Sequence, residues 1–125
     1  MKKNYIKFYN INFCNLDFNS IYKIIMKGGY LVAPAASALS RILDNKIYHE
    51  SLIHSNIAIF DSGFFCILLR IFKFEKVEKL SGYKFLNKFL EKKEIKRKKI
   101  LCIDPTKNES FINKNFLTKL KFKDV

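Results

Sequence analysis

Three short apolar runs of this chain each end in a break of small or acidic residues, and this pattern constrains the fold more than any other. The runs and their breaks are 30–32 before Ala33-Pro34-Ala35, 57–60 before Asp61-Ser62-Gly63, and 100–103 before Asp104-Pro105-Thr106. Short apolar runs bounded in this way are typical of buried strands. In α/β proteins, ligands bind just beyond the carboxyl ends of parallel strands. We therefore expect the three breaks to line one edge of a sheet, with Asp61 in the middle.

Helical patterns separate the predicted strands. One or two short edge strands are predicted within residues 5–13, and the helices are predicted at about 18–27, 36–44, 46–55, 63–72, 83–94 and 109–120. Asn15 or Asp17 can cap the first helix, and Gly28-Gly29 is a natural stop for it. The alternation of strands and helices predicts an α/β fold with a mostly parallel sheet and flanking helices. The length of 125 residues suits a single domain over 1–125.

The chain carries a formal charge of +13, and most of the excess of basic residues follows residue 72. The densest stretch, Lys92–Lys99, has six cations in eight positions. Such a stretch is either a solvated loop or a surface that attracts phosphates or an anionic membrane face. Sequence-specific nucleic-acid recognition is not expected from it.

Metal binding and membrane insertion are not expected. The three cysteines, Cys14, Cys66 and Cys102, are widely spaced and suggest neither a disulfide framework nor a zinc site, which favours a reducing cytoplasm. The two histidines, His49 and His54, lack Cys, Asp or Glu at a spacing that completes a metal set. No signal peptide is visible, and the longest apolar run is too short to span a bilayer.

The chemistry-bearing residue with the clearest position is Asp61. By itself it is better interpreted as structural, a helix N-cap before Gly63. The chain shows no P-loop, dinucleotide fingerprint or nucleophile elbow. What adds information is an ordered set of segments: Val32-Ala33-Pro34-Ala35, Leu43-Asp44 with Tyr48, 55–63 ending in Asp61-Ser62-Gly63, and Leu80-Ser81-Gly82-Tyr83.

This order resembles that of the WecG/TagA/CpsF glycosyltransferase family over most of residues 5–110. The resemblance implies an inverting hexosyltransferase without a metal or cofactor, which moves a sugar of the N-acetylmannosamine type from a nucleotide-diphosphate donor to a polyprenyl-diphosphate-linked acceptor. It implies a cytoplasmic protein, peripheral at the inner face of the cytoplasmic membrane, in cell-envelope polysaccharide synthesis. Asp61 corresponds to the proposed base. The positions expected to bind substrate are Ala33, Pro34, Ala35, Ser37, Ser62, Gly63, Gly82 and Asp104.

The chain departs from the family pattern at three points. The family motif Thr-Pro-Asn is Ala33-Pro34-Ala35 here, and the family Asp-Gly is Asp61-Ser62-Gly63. Family members are also considerably longer, so the resemblance implies that the chain corresponds to an N-terminal portion with a Rossmann-like, truncated sheet. An open sheet edge and the apolar helix at 63–72 then favour self-association or binding to an anionic membrane surface.

An alternative of a different class is a non-catalytic basic module that uses its lysines to bind anionic lipid or nucleic acid. The two functions differ in their response to salt. Binding through lysines weakens steeply as salt rises, whereas a nucleotide-sugar pocket keeps its preference for a base and a sugar.

Overall fold

A computed structural model describes residues 3–73, 76–77 and 80–125. This part of the chain forms an α/β structure whose four strands belong to one mixed, mostly parallel sheet. The strands are β1 Tyr5–Phe8, β2 Ile11–Cys14, β3 Leu31–Val32 and β4 Ile57–Ile59. The helices are α1 Phe18–Ile25, α2 Ala36–Ser40, α3 Lys46–Ile53, α4 Gly63–Lys73, α5 Gly82–Leu90 and α6 Lys107–Lys119, with 3-10 helices at Ile42–Asp44 and Ile95–Arg97.

The sheet combines a hairpin with two parallel pairings. Its strand order is β1-β2-β4-β3, in which β1 pairs antiparallel with β2, and β4 pairs parallel with both β2 and β3. Tyr9 and Asn10 make the two-residue hairpin turn with positive φ values of 46° and 62°, as a type I′ turn requires. The prediction of an α/β fold with a mostly parallel sheet is confirmed.

The central strand β4 is buried on both faces. Ala58 belongs with Phe13, Phe60 and Phe65 to one apolar cluster, and the side chains of Ile57 and Ile59, which alternate with it, are buried as well. The rings of Phe13 and Phe60 stack with centroids 4.9 Å apart. Because successive side chains of a strand point to opposite faces, this burial fixes the register of β4, and with it the position of Asp61.

The connections around α1 show why the chain turns where it does. The Asp17 carboxylate accepts a hydrogen bond from the backbone N–H of Ser20 at 2.7 Å and so caps α1. Asn15, the other predicted cap, has a different role. Its buried amide donates to the carbonyls of Lys3, at 2.9 Å, and of Lys76, at 2.6 Å, and so ties two distant backbone segments together.

The chain divides into two compact units, which comprise the described residues up to Phe85 and Leu86–Val125. The prediction of a single domain over 1–125 is not decided by this division. The first unit contains the whole sheet and α1 to α4. The second unit contains the second 3-10 helix and α6, which begins at the Thr106 cap. Thr106 Oγ1 accepts from the Glu109 backbone N–H, which is the N-cap half of a capping box, and donates to the Glu109 carboxylate at 2.7 Å.

The predicted strand at 100–103 is wrong. Residues 100–103 form no strand, and Leu101 and Ile103 are 85% and 92% exposed. The run has the composition of a strand, but no neighbouring strand pairs with it. Two helix boundaries also differ from the prediction. The helix predicted at 36–44 ends at Ser40 and is followed by the 3-10 helix, and the helix predicted at 83–94 ends at Leu90.

The sequence between α4 and α5 is rich in charged residues, as expected of an exposed connection, but four of its residues, 74–75 and 78–79, lie outside the described residues. The helix before it, α4, is strongly apolar, as its sequence suggested, and leaves large apolar side chains exposed: Phe64, Ile67, Ile71 and Phe72. In the described parts of the chain, no helix is both long enough and apolar enough to cross a bilayer.

Candidate functional site

Two strand ends and one helix start meet in the first unit. Because β3 and β4 are parallel neighbours, their carboxyl ends lie at the same edge of the sheet, where Ala33 and Asp61 follow them. Helix α5 begins at Gly82 beside these two residues. We call Ala33, Asp61 and Gly82 the strand-edge cluster.

A hydrogen bond holds this cluster together. Asp61 Oδ1 accepts from the backbone N–H of Gly82 at 2.6 Å, which places a carboxylate at the positive end of α5. The lack of a side chain at residue 82 allows this approach. A Cβ atom there would lie 3.1 Å from the Ala33 Cβ and 3.6 Å from Asp61 Oδ1. The half-buried Asp61 carboxylate is therefore fixed in orientation by one oxygen.

The cap of α4 is Ser62, and the reading of Asp61 as the cap before Gly63 is wrong. Ser62 Oγ accepts from the Phe65 backbone N–H at 3.2 Å, and the Ser62 carbonyl accepts from Cys66 at 3.1 Å. Gly63 is the first residue of α4. Ser62, which separates Asp61 from Gly63, therefore caps the helix, and the Asp61 carboxylate hydrogen-bonds to Gly82 instead.

N–H groups at the start of α5 already donate hydrogen bonds to side chains of the protein. Gly82 donates to Asp61, while Ser81 Oγ accepts from the Lys84 backbone N–H at 3.2 Å and caps α5. Helix N-termini are general anion-binding sites. In this conformation, however, the first N–H of α5 serves the Asp61 carboxylate. Ser81 is not among the residues predicted for the site, although Ser81-Gly82 before an apolar helical pattern is a recognisable N-cap signal.

The remaining residues of the first break surround the start of α2. Pro34 is buried, Ala35 is exposed and precedes the helix, and Ser37 lies exposed in its first turn. Ala35 is the N-cap residue of α2, and no side-chain hydrogen bond caps this helix. The alanine at position 35 therefore leaves the helix start without the partner that Asn, Ser or Asp would supply.

Asp104 does not lie at a strand end. It belongs to the second unit, in the segment that leads into α6, where its Oδ1 accepts from the side-chain amide of Asn113 at 2.7 Å. Its other oxygen, Oδ2, is buried, and the described part of the chain offers it no hydrogen-bond partner. The expected alignment of three strand ends is therefore wrong for Asp104, because the strand that was to carry it does not form.

An apolar groove lies on the first unit between α2, α4 and the β1–β2 turn. It has a volume of about 330 Å³. Its lining includes Tyr9 from the turn, Leu39 from α2, and Phe64, Leu68 and Phe72 from α4.

Metal or thiol chemistry finds little support among the described residues. Residues 3–73, 76–77 and 80–125 contain no group of three or more His, Cys, Asp or Glu side chains that could hold a metal ion. The His49 ring lies 2.7 Å from the Tyr9 carbonyl oxygen through Nε2. Burial raises the pKa of the Cys14 thiol, so this thiol stays protonated near neutral pH and is a poor nucleophile.

No family model matches the chain, and no curated protein matches its sequence significantly.

Proposed function

We propose that this chain is a glycosyltransferase-like domain of the WecG/TagA/CpsF type, with a Rossmann-like sheet. Its reaction transfers a sugar of the N-acetylmannosamine type from a nucleotide-diphosphate donor to a polyprenyl-diphosphate-linked acceptor at the cytoplasmic membrane face. The observation that carries the proposal is the strand-edge cluster, in which Ala33, Asp61 and Gly82 come together.

The cluster supports the proposal because its members come from three separate segments of the resemblance. Residues 33, 61 and 82 are far apart in sequence, and their spacing alone does not require them to meet. A shared substrate site does require it. Their meeting point is at the carboxyl ends of parallel strands, where ligands of α/β proteins collect.

Asp61 has a geometry suited to a general base. Gly82 holds Oδ1, which orients the carboxylate so that Oδ2 would receive the proton of the acceptor hydroxyl. As that proton leaves, the acceptor oxygen bonds to the anomeric carbon, and the bond from this carbon to the donor diphosphate breaks with its electron pair on the diphosphate. General base catalysis of this kind contributes roughly 10²–10⁴-fold to a rate.

Donor binding is the first test, because it requires no acceptor. We expect the chain to bind one nucleoside-diphosphate-linked N-acetylhexosamine in calorimetry more tightly than the matching free nucleoside diphosphate and more tightly than donors with another base. We also expect this preference to persist as salt rises, since base and sugar are recognised by uncharged contacts. If no nucleotide sugar binds better than its free nucleotide at any salt concentration, the proposal is overturned.

The role of Asp61 is tested by two substitutions with different structural costs. Asp61→Asn keeps an oxygen that can accept from Gly82, so the fold and donor binding should survive, while transfer to a polyprenyl-diphosphate-linked acceptor should fall by at least about 100-fold. Asp61→Ala also loses the bond to α5 and should cost about 1 kcal/mol of stability. The control is Asp17→Ala, which removes the α1 cap at similar cost and should spare transfer. Equal transfer in Asp61→Asn and the unchanged chain would remove Asp61 from the chemistry.

A further inference from the structure

The second unit has a concave surface lined almost entirely by cations, which we call the basic hollow. Its volume is about 420 Å³. The residues that line it are Lys93, Lys96, Arg97, Lys98, Lys121, Lys123 and Asp124. Six of these seven side chains are basic, and Asp124 offsets one of the charges. Four of the lining residues come from the basic run of the sequence, and the other three come from residues after α6.

The basic run is shaped by one buried side chain. Ile95 is 2% exposed and anchors the 3-10 helix Ile95–Arg97. The Lys98 N–H donates to the Ile95 carbonyl at 2.9 Å, which closes the turn. Lys96, Arg97 and Lys98 are thereby held in a compact turn. A freely solvated loop would carry the same charge without this shape.

The residues after α6 are held by a Schellman motif. The Phe122 N–H donates to the Leu117 carbonyl at 3.1 Å and the Lys121 N–H donates to the Thr118 carbonyl at 2.9 Å, while Leu117 and Phe122 are both buried. These are the two hydrogen bonds and the apolar contact that define the motif. The backbone N–H of Ile100 also donates to the Asp124 carbonyl at 3.1 Å, which fixes the segment that presents Lys121 and Lys123.

The local backbone conformation does not explain why position 121 is a lysine. It occupies the left-handed position of the Schellman motif with φ of 68°, a place where glycine is preferred because a side chain is strained there. A strained residue at such a position suggests a function that the side chain serves. The lysine adds a sixth cation to a surface where like charges already repel one another.

The shape of the basic hollow favours a compact anion over an extended one. Single-stranded nucleic acid is usually bound along an electropositive groove with aromatic side chains on which bases stack. The lining of the hollow has no aromatic side chain. Lysine and arginine from two segments that converge on one concavity instead suit a small group with several charged oxygens, to which they donate charge-assisted hydrogen bonds.

We propose that the basic hollow binds a compact cluster of phosphate groups, either in a free polyphosphate or in the headgroup of an anionic lipid. This site goes beyond the proposed glycosyltransferase function, since it lies wholly in the second unit and uses neither Asp61 nor a sugar. Its success or failure is therefore separate from that of the strand-edge cluster.

The test measures binding of tripolyphosphate to the full chain by calorimetry at low ionic strength. Lys121→Gly is the most informative variant, because it removes a cation while relieving the backbone strain. We expect it to raise the melting temperature and yet weaken binding about fivefold, the effect of one nearby cation. Lys98→Gln should weaken binding to a similar extent. The matched control is Lys114→Gln, which removes the same charge from α6 outside the hollow and should change the affinity little, because salt screens distant charges.

Vesicles distinguish the two sources of phosphate. Vesicles of phosphatidylcholine with a phosphatidylinositol bisphosphate, whose headgroup carries several phosphates, should bind the chain in competition with tripolyphosphate if the ligand is a lipid headgroup. Tripolyphosphate binding without vesicle binding identifies a free polyphosphate. The proposal is overturned if neither binds, or if Lys114→Gln weakens binding as much as Lys121→Gly does. An oligonucleotide that binds much more tightly than tripolyphosphate through the same lysines would also overturn it, because the ligand would then be extended.

Discussion

At the residue scale, Ala35 shows how one side chain affects both local stability and the candidate site. It precedes α2 in an extended conformation with φ of −72° and ψ of 158°, and no side-chain hydrogen bond caps this helix. The Thr-Pro-Asn motif of the family that the sequence resembles has asparagine at this position, and asparagine caps helices well. A substitution at position 35 therefore changes the stability of α2 as well as any contact with a ligand.

We predict that Ala35→Asn raises the free energy of unfolding by about 1 kcal/mol, because the new amide oxygen can accept a hydrogen bond from the first turn of α2. Urea denaturation measures the change. The control is Ala38→Asn inside the same helix, which should be destabilising because asparagine is a poor helix former. If Ala35→Asn has no effect or is destabilising, the helix does not begin where the structure places it.

At the element scale, the connection from α1 to β3 depends on two adjacent glycines. Gly28 and Gly29 have φ values of 111° and 101°, which only glycine adopts without strain. Their surroundings differ. A Cβ at Gly28 would meet nothing within 4 Å, whereas a Cβ at Gly29 would lie 2.1 Å from Asn56 Oδ1. That oxygen accepts from the Tyr30 N–H at 3.0 Å and so helps to align β3 beside β4.

We predict that Gly28→Ala costs about 1 kcal/mol through backbone strain alone, and that Gly29→Ala costs about 1 kcal/mol more because it also displaces Asn56 and breaks the bond to Tyr30. Denaturation of the single and double variants measures this. In an Asn56→Ala background the extra cost of Gly29→Ala should vanish, since the displaced group is gone. An extra cost that persists in that background would contradict the role given to Asn56.

The sequence predicted an element correctly where the local pattern was accompanied by a neighbouring element for it to pack against. The run 57–60 forms a strand because β2 and β3 flank it. Helix α1 ends before Gly28-Gly29, as predicted, because their positive φ values cannot continue a helix. The run 100–103 had the same composition but no neighbour to pair with, and apolar periodicity carries no information on pairing. The sequence placed Asp61 at a strand end. Its bond to Gly82 spans 21 residues and could not be read from local pattern.

The same limit applies to the basic hollow. The sequence revealed the run Lys92–Lys99, which had either a solvated or an anion-binding interpretation. Lys121 and Lys123, which complete the lining, come from a separate segment more than twenty residues later in the chain. Only the fold of the second unit brings the two segments to one concavity. This convergence defines which basic residues belong to the proposed site and which do not.

At the scale of the whole molecule, charge and exposed apolar surface act in opposite directions. A net charge of +13 keeps copies of the chain apart. Helix α4 exposes Phe64, Ile67, Ile71 and Phe72, with Phe72 75% exposed. Phe64, Ile67 and Ile71 stand three and four positions apart and form one stripe along the helix, with Phe72 at its edge. Large exposed apolar stripes usually contact a partner, and the repulsion between copies falls as salt screens it.

We predict that the chain self-associates through this stripe, and that association strengthens as salt rises, in contrast to the binding of phosphate. Sedimentation velocity over a range of protein and salt concentrations measures both dependences. The double variant Phe64→Ser/Phe72→Ser should weaken association by at least about tenfold, because burial of each ring contributes roughly 1.5–3 kcal/mol. The control is Ile47→Ser, which removes an 83% exposed side chain from α3 and should leave association unchanged. A chain that stays monomeric at high salt, or one that Ile47→Ser dissociates equally well, would show that the α4 stripe is not the contact.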